Sequence, residues 1–384
     1  MVSAASTGEA LADGRWDPLA GVRAADSPDL DVLLTGSVFL DLVFTGLADV
    51  PTPGTEIWAD GMGSSPGGIC NLAVATSRLG LRTGLAAGFG ADVYGDWCWD
   101  VLSRQEHVDL SLSRQFADTH SAVTVSVAHS GDRSMITHGH PVPMSADELI
   151  GTPPASAAAI AELSLMTHDA GTEPWWLQAA AQGTKVFADV GWDPTGAWDT
   201  ATLDALGSCH AFMPNQVEAM AYTRTDSPQA ALHALADRVP LAVVTCGADG
   251  AMAIDASTGE QAHVPALSVL AIDPTGAGDV FGAALVLGSV AGWSLGDRLA
   301  FSALCSALAV QQFGGSLSAP GWGDISDWWT VTKASVGGVD PDVVDRYRFL
   351  DTLVPPFPVR MVRRAHATIA TQSDLPELHP ATLS

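Results

Sequence analysis

The chain has 384 residues, 47% of them hydrophobic, enough to bury one large core or two modest ones, and its 38 glycines are scattered between short apolar runs; this excludes collagen-like and linker readings and fits the many turns of an alternating strand and helix fold. Acidic residues outnumber basic ones 43 to 17, for a formal net charge of −26, and Lys185 and Lys333 are the only lysines, so nucleic acid and anionic membrane are repelled and a polyanionic substrate must be held by local arginines, backbone amides or metal ions. The five cysteines, Cys70, Cys98, Cys209, Cys246 and Cys305, form no C-x-x-C pair, which fits a reduced, cytoplasmic setting and gives no metal signature.

Residues 1–28 are rich in Ala, Ser, Gly and Asp, lack sustained periodicity and hold no apolar leader segment, so they are expected to form a mobile arm. From Asp29 onward short β-like runs recur at Val32–Leu34, Thr83–Ala87, Leu163–Thr167, Lys185–Ala188, Ala211–Met213 and Leu241–Thr245. Helix-like segments alternate with them, among them Asn71–Leu79, Trp175–Ala181 and Pro228–Ala236. The alternation predicts an α/β domain over residues 29–330, a mostly parallel central sheet with helices on both faces. Two regions break the rhythm, Ser37–Gly61 and Ala122–His138; in the second, Val123, Val125 and Val127 alternate with Thr124, Ser126 and Ala128. They read as a small β flap outside the main sheet, its strands within 37–61 and 120–140. The longest apolar stretch, Val280–Trp293, contains glycines and is too short to span a bilayer. Residues 331–384 change character, with Pro355, Pro356 and Pro358 and five of the fifteen arginines, and are expected to be an appended extension that folds back on the acidic body.

The stretch that carries chemistry is Asp273-Pro274-Thr275-Gly276-Ala277-Gly278-Asp279, followed by the apolar run Val280–Val286. Small residues immediately before a helix let successive backbone N–H groups face one anion, and the helix dipole adds favourable potential. Asp279, at the mouth of such a cradle, is placed to accept the proton of an attacking hydroxyl while the N–H groups stabilise a transferred phosphoryl group. A dinucleotide fingerprint is the weaker alternative, because Gly282 falls one position late for G-x-G-x-x-G and no ribose-binding acid follows a β-α-β unit. A Walker-type loop is excluded, since neither lysine follows a glycine.

These residues resemble the second signature, D-T-x-G-A-G-D, of the ribokinase-like (PfkB) carbohydrate kinases. Pro66-Gly67-Gly68-Ile69-Cys70-Asn71-Leu72-Ala73, with Arg78-Leu79-Gly80 and Gly88–Asp96, is similar to the first signature, and the resemblance runs from about Leu33 to Pro320. It implies a ribokinase-like fold with a β lid, and ATP-dependent phosphorylation of an alcohol group on a small sugar or sugar acid. By position, it implies Asp279 as catalytic base and Gly276, Ala277 and Gly278 as the anion hole. Asp41, in Gly36-Ser37-Val38-Phe39-Leu40-Asp41, matches the acid that bonds substrate hydroxyls. Gly67, Gly68 and Asn71 match pocket-lining residues, although the family's G-G-x-x-x-N is here one residue shorter; a helix start needing glycine and a cap accounts for them nearly as well. Arg133, in Gly131-Asp132-Arg133, resembles a lid turn whose arginine touches substrate or phosphate.

On the nucleotide side, Asn215 and Glu218 match an N-x-x-E motif that acts on Mg2+, largely through water, and Asn215 also faces phosphate. Thr245, Gly247 and Gly250 resemble the nucleotide loop. Asp273, Thr275 and Ser316 match a monovalent cation (K+) site. A homodimer through the lid is likewise implied by resemblance. Ile69 stands where some members that act on ribose or phosphorylated sugars carry lysine, which favours a neutral sugar or sugar acid. A nucleoside is the alternative substrate, suggested by Phe39, Phe44 and Trp58 in the flap region, and a non-catalytic sensor or scaffold is the alternative of another class. His138 and His140 are read as structural, having no nucleophile or metal-ligand spacing.

Overall fold

The computed structural model describes residues 9–10, 14–354 and 362–364, apart from the stretches 48, 50, 130–131, 164–172, 191–192, 194, 313–314 and 335–339. Its principal elements in chain order are strands β1 (Leu30–Thr35), β2 (Val38–Thr45) and β3 (Gly61–Gly68), helix α1 (Cys70–Arg78), β4 (Thr83–Ala86), α2 (Val93–Asp100), β5 (Ala122–His129), β6 (Asp132–His138), β7 (Ser156–Glu162), α3 (Trp175–Ala181), β8 (Lys185–Asp189) and β9 (Ala211–Phe212). They continue with α4 (Gln216–Thr223), α5 (Pro228–Ala236), β10 (Leu241–Thr245), β11 (Ala251–Asp255), β12 (Glu260–Val264), α6 (Ala277–Val290), α7 (Leu295–Ala309), α8 (Trp322–Ala334), α9 (Pro341–Tyr347) and α10 (Leu350–Leu353).

The central sheet has the order β12-β11-β10-β9-β8-β7-β1-β4, parallel from β10 to β4 and antiparallel at the β10-β11-β12 edge. Apart from the largely exposed edge strand β12, its strands are mostly buried on both faces, as crossover helices require. Val32, Leu34, Ile160, Phe187 and Val243 enter one core with α1, α6 and α7. Their neighbours Leu33, Ala159, Val186, Phe212 and Val244 enter the other with Trp175, Trp176, Ala219 and Leu235. That period of two is the pleat itself.

The strand expected at Leu163–Thr167 is displaced. The chain pairs Ser156–Glu162 between β1 and β8 instead, Leu163 lies just past the strand end, and the rest of the expected run falls outside the described residues. Ser156-Ala-Ala-Ala-Ile-Ala has Ile160 as its one β-branched residue and no aromatic, a weak strand signal; helices pressed on both faces favour small side chains there instead.

The lid is a second sheet of order β6-β5-β2-β3. Its last strand, Gly61–Gly68, carries the opening Pro66-Gly67-Gly68 of the first signature into the sheet, where the sequence places only the flap's edge at Gly61. Eight paired residues against β2 outweigh the poor strand propensity of Gly-Met-Gly-Ser-Ser-Pro-Gly-Gly.

The two ends of the chain stand differently against expectation. Residues 14–28, expected within a mobile arm, pack on the body: Trp16 and Leu19 are buried, Arg23 pairs with Asp17 and Asp31, and Arg15 donates to the Ser77 carbonyl at the end of α1. In the extension, Tyr347 and Leu350 are fully buried within the α7 and α8 core. Arg363 pairs with Asp327 and Arg364 with Asp324, which agrees with an extension folded onto the acidic body.

Candidate active site

The parallel strands β7, β8, β9 and β10 end along one edge of the sheet, and a cleft opens there, lined by Leu72, Ile160, Asp189, Val190, Met213, Asn215, Glu218, Thr245, Gly278, Asp279, Phe281 and Gly282. The C-terminal ends of parallel strands are where α/β sheets place ligands, because the following helices present their N-termini there. α6 is such a helix, almost wholly apolar and buried from Val280 to Ser289. Its N-cap, Gly276, sits in the left-handed region at φ 75°, so a side chain there would be strained.

The first turn of α6 divides its donors. The Ala277 N–H bonds the Pro274 carbonyl (3.1 Å) and the Val280 N–H bonds the Gly276 carbonyl (2.9 Å). Gly278 and Asp279 are therefore the first-turn amides left to meet an anion, so the expected run of three consecutive donors, Gly276 to Gly278, is interrupted at Ala277. No atom lies within 4 Å of where a Gly278 Cβ would stand, so that glycine keeps the cleft open. Below it, Asp273 Oδ1 accepts from the Thr275 N–H (2.9 Å) and hydroxyl, an Asx turn that shapes the loop.

Asp279 projects from this turn, and the Asn71 Nδ2 of α1 donates to its Oδ2 at 2.9 Å. Burial pushes the Asp279 carboxyl up to about 6, against the opposing pull of that hydrogen bond. A base with a value near operating pH is well matched to proton abstraction from a hydroxyl. The two signatures, 208 residues apart, thus meet in one hydrogen bond.

Asn215 and Glu218 form a capping box at the start of α4. Asn215 Oδ1 accepts from the Val217 and Glu218 N–H groups, and Glu218 Oε2 accepts from the Asn215 N–H at 3.0 Å. Burial raises the Glu218 carboxyl, opposed by its bonds to Asn215. Capping and cleft lining coexist: the two residues start the helix and also line the cleft.

Asp189, at the end of β8, is a site residue that sequence reasoning missed. Burial first, then the nearby Asp279 carboxylate, push it up to about 7. The signal available was an acid ending a predicted parallel strand, Lys185–Ala188, just before Gly191.

Thr245 lines the cleft from the end of β10, while Gly247 and Gly250 lie in the turn to β11, outside the lining. Ser316 donates its hydroxyl to the Pro66 carbonyl, tying the segment after α7 to β3.

Asp41, Gly67 and Gly68 belong to the lid rather than to the cleft wall. Asp41 pairs across β2 with Ser65 and Thr124, and its carboxylate lies so close to Gly67 that a Cβ there would stand 2.0 Å from Oδ2. Gly67 is therefore the glycine whose bare backbone accommodates the acid. Arg133 is the second residue of β6, paired with Ala128; its side chain, like Gly131 of the expected turn, lies outside the described residues. Asp92 joins lid to body: its carboxylate accepts from the Tyr94 and Gly95 N–H groups of α2 and from the N–H and hydroxyl of Ser121 at the start of β5. His120, His138 and His140 pack edge to face at this lid base, and no group of three metal-ligating side chains converges among the described residues. No described helix is long and apolar enough to cross a membrane.

Comparison with known proteins gives this geometry its relatives. A fructokinase from Klebsiella pneumoniae is 30% identical over 285 residues, covering 68% of this chain and 89% of its own. A ribokinase from Schizosaccharomyces pombe is 25% identical over 323 residues, 79% of this chain and 99% of its own. The structure of Arabidopsis thaliana ribokinase, complexed with ribose and ATP, superposes with a TM-score of 0.62 at 22% identity over 78% of this chain and 98% of that one, a likeness of fold. The family model for pfkB carbohydrate kinases matches residues 30–322, and the chain belongs to that family, as an ATP-dependent carbohydrate kinase.

Proposed function

We propose that the protein transfers the γ-phosphoryl group of ATP in line to an alcohol group of a small neutral sugar or sugar acid, with Asp279 as base. The observation that carries this reading is Asp279 itself: an ionisable carboxylate in the first turn of a buried helix, beside the Gly278 amide, with one oxygen held by Asn71 and its value raised to about 6. Positioning and charge stabilisation supply most of the acceleration in such a transfer.

Asp279 takes the hydroxyl proton, and the Gly278 and Asp279 N–H groups meet the transferred charge. Mg2+ suits the acidic wall formed by Asp189, Asn215 and Glu218, oxygen donors that leave room for the waters this ion retains. When bound, it neutralises charge on the phosphates. A monovalent cation such as K+ is assigned to the turn of Asp273, Thr275 and Ser316. The lid brings Asp41, Gly67, Gly68 and Arg133 over the acceptor, excluding water and limiting ATP hydrolysis, and it also supplies the surface for a homodimer. A cytoplasmic location accompanies this reading.

An ADP-release assay with ATP, Mg2+ and K+ across sugars, sugar acids and nucleosides tests it. Asp279→Ala should abolish transfer while MgATP binding persists; unchanged turnover in that variant overturns the assignment. Turnover on nucleosides alone would move the substrate class, and MgATP binding without turnover on any acceptor would favour a sensor.

A further inference from the structure

The last turn of α7 lies behind the phosphate cradle, and its carbonyls have partners that can be followed one by one. The Ser306 carbonyl accepts from the Val310 N–H, Ala307 from the Gln311 side chain, and Ala309 from the Gln312 N–H. The Val310 carbonyl accepts from both Ile272 (2.7 Å) and Asp273 (3.2 Å) N–H groups, and the Ser306 hydroxyl donates to the Ala277 carbonyl (3.1 Å). The loop from Ile272 to Ala277 is thus hung from the end of α7 at two points. The remaining carbonyl, Leu308, accepts from Arg364 Nη1 at 2.6 Å.

Arg364 lies 42 residues beyond the family match, which ends at residue 322. Its Nε and backbone N–H both bond the Asp324 carboxylate, at 3.1 and 2.9 Å, and Asp324 in turn accepts from the Gly321 N–H. The Val362 carbonyl accepts from the Gly323 N–H. A guanidinium so fixed is a cation at the negative end of α7, where it offsets both an orphan carbonyl and the helix dipole. Its mate Asp324 prevents it from swinging toward solvent.

We infer that Arg364 is a positioning residue for nucleotide binding: by capping Leu308 it fixes the end of α7 from which the phosphate-binding loop hangs, so that the C-terminal extension sets the affinity for MgATP. The inference rests on reading Gly276 to Asp279 as the phosphate cradle. Contact is indirect, through Leu308, Val310 and the loop. The acceptor side of the cleft, built on α1 and the lid, shares none of these bonds.

The test is MgATP affinity by calorimetry on full-length protein, with KM for ATP, KM for the sugar, kcat and Tm measured alongside. Arg364→Ala should weaken MgATP binding roughly threefold or more, raising the ATP KM in proportion and leaving the sugar KM unchanged. Arg364→Lys, which keeps a cationic donor, should recover most of the affinity, and Arg364→Gln, retaining one neutral donor, should fall between and serves if the alanine variant does not fold. Unchanged MgATP affinity, or a parallel loss of ATP and sugar affinity with a lowered Tm, overturns the inference in favour of a purely structural clamp. Gly278→Val isolates the cradle: unchanged MgATP binding there refutes the cradle reading, whereas unchanged binding in the Arg364 series alone refutes the role of the extension.

Discussion

Replacing Asn71 by leucine, similar in shape but without the amide, should move the acid limb of the pH-rate profile. The Asn71 Nδ2 donates to Asp279 Oδ2 at 2.9 Å, a bond that favours the ionised carboxylate and opposes the burial that raises it to about 6. A hydrogen bond to a charged group contributes roughly 1.5–3 kcal/mol, and each pKa unit corresponds to about 1.4 kcal/mol, so its loss should raise Asp279 by about one to two units. The base works ionised, so activity is lost as pH falls through its value. At pH 7 the ionised fraction should then drop about two- to tenfold, and at pH 9 most of the rate should return. The assay is kcat/KM for the sugar from pH 5 to 9 at fixed MgATP. An unshifted acid limb with a raised sugar KM would refute this reasoning and make Asn71 a substrate ligand instead, the role its place in the signature implies.

Gly67→Ala should displace the Asp41 carboxylate, since the new Cβ would stand 2.0 Å from Oδ2; a sugar KM raised about tenfold with the ATP KM unchanged is expected from steady-state kinetics, because misplacing a positioning group by an ångström is costly. Asp189→Asn and Glu218→Gln should each raise the Mg2+ concentration needed for half-maximal rate by about tenfold; a titration showing no change would remove these acids from the metal side. Glu106→Gln strands the buried Arg78 guanidinium, which pairs with Glu106 at 2.8 Å, and should cost about 3–5 kcal/mol in urea unfolding. Burial opposes ionisation of Glu106, but Arg78 outweighs it and holds the value below the ordinary one. The pair's stabilisation is therefore complete above the ordinary glutamate value near about 4.3 and lost as pH falls through the lowered one, so the variant should show a flatter acid limb in Tm against pH.

Local pattern sufficed for much of the fold. Lys185–Ala188 and Leu241–Thr245 are apolar runs of strand length, Pro228–Ala236 begins with a serine cap and proline, and each forms the element its pattern predicts. The Gly-Ala-Gly-Asp turn before an apolar run likewise pointed to the candidate cradle and the acid proposed as its base, because that chemistry requires small residues and an acid at adjacent positions. What resisted reading were elements whose identity depends on neighbours. Ser156–Ala161 becomes a strand only because β1 and β8 flank it and two helix layers admit small side chains. Gly61–Gly68 becomes one because β2 supplies a full register.

The site divides in the same way. Residue types and order pointed to Asp279 from sequence, and the family resemblance to Asn215 and Glu218, since a motif is a short stretch whose geometry is local. Tertiary structure alone brought Asn71 to Asp279 across 208 residues, set Asp189 near Asp279 and Glu218, and carried Arg364 to the end of the helix from which the Ile272–Ala277 loop hangs. Those are distances between segments remote in the chain, and they exist only once two hydrophobic cores have closed on the sheet.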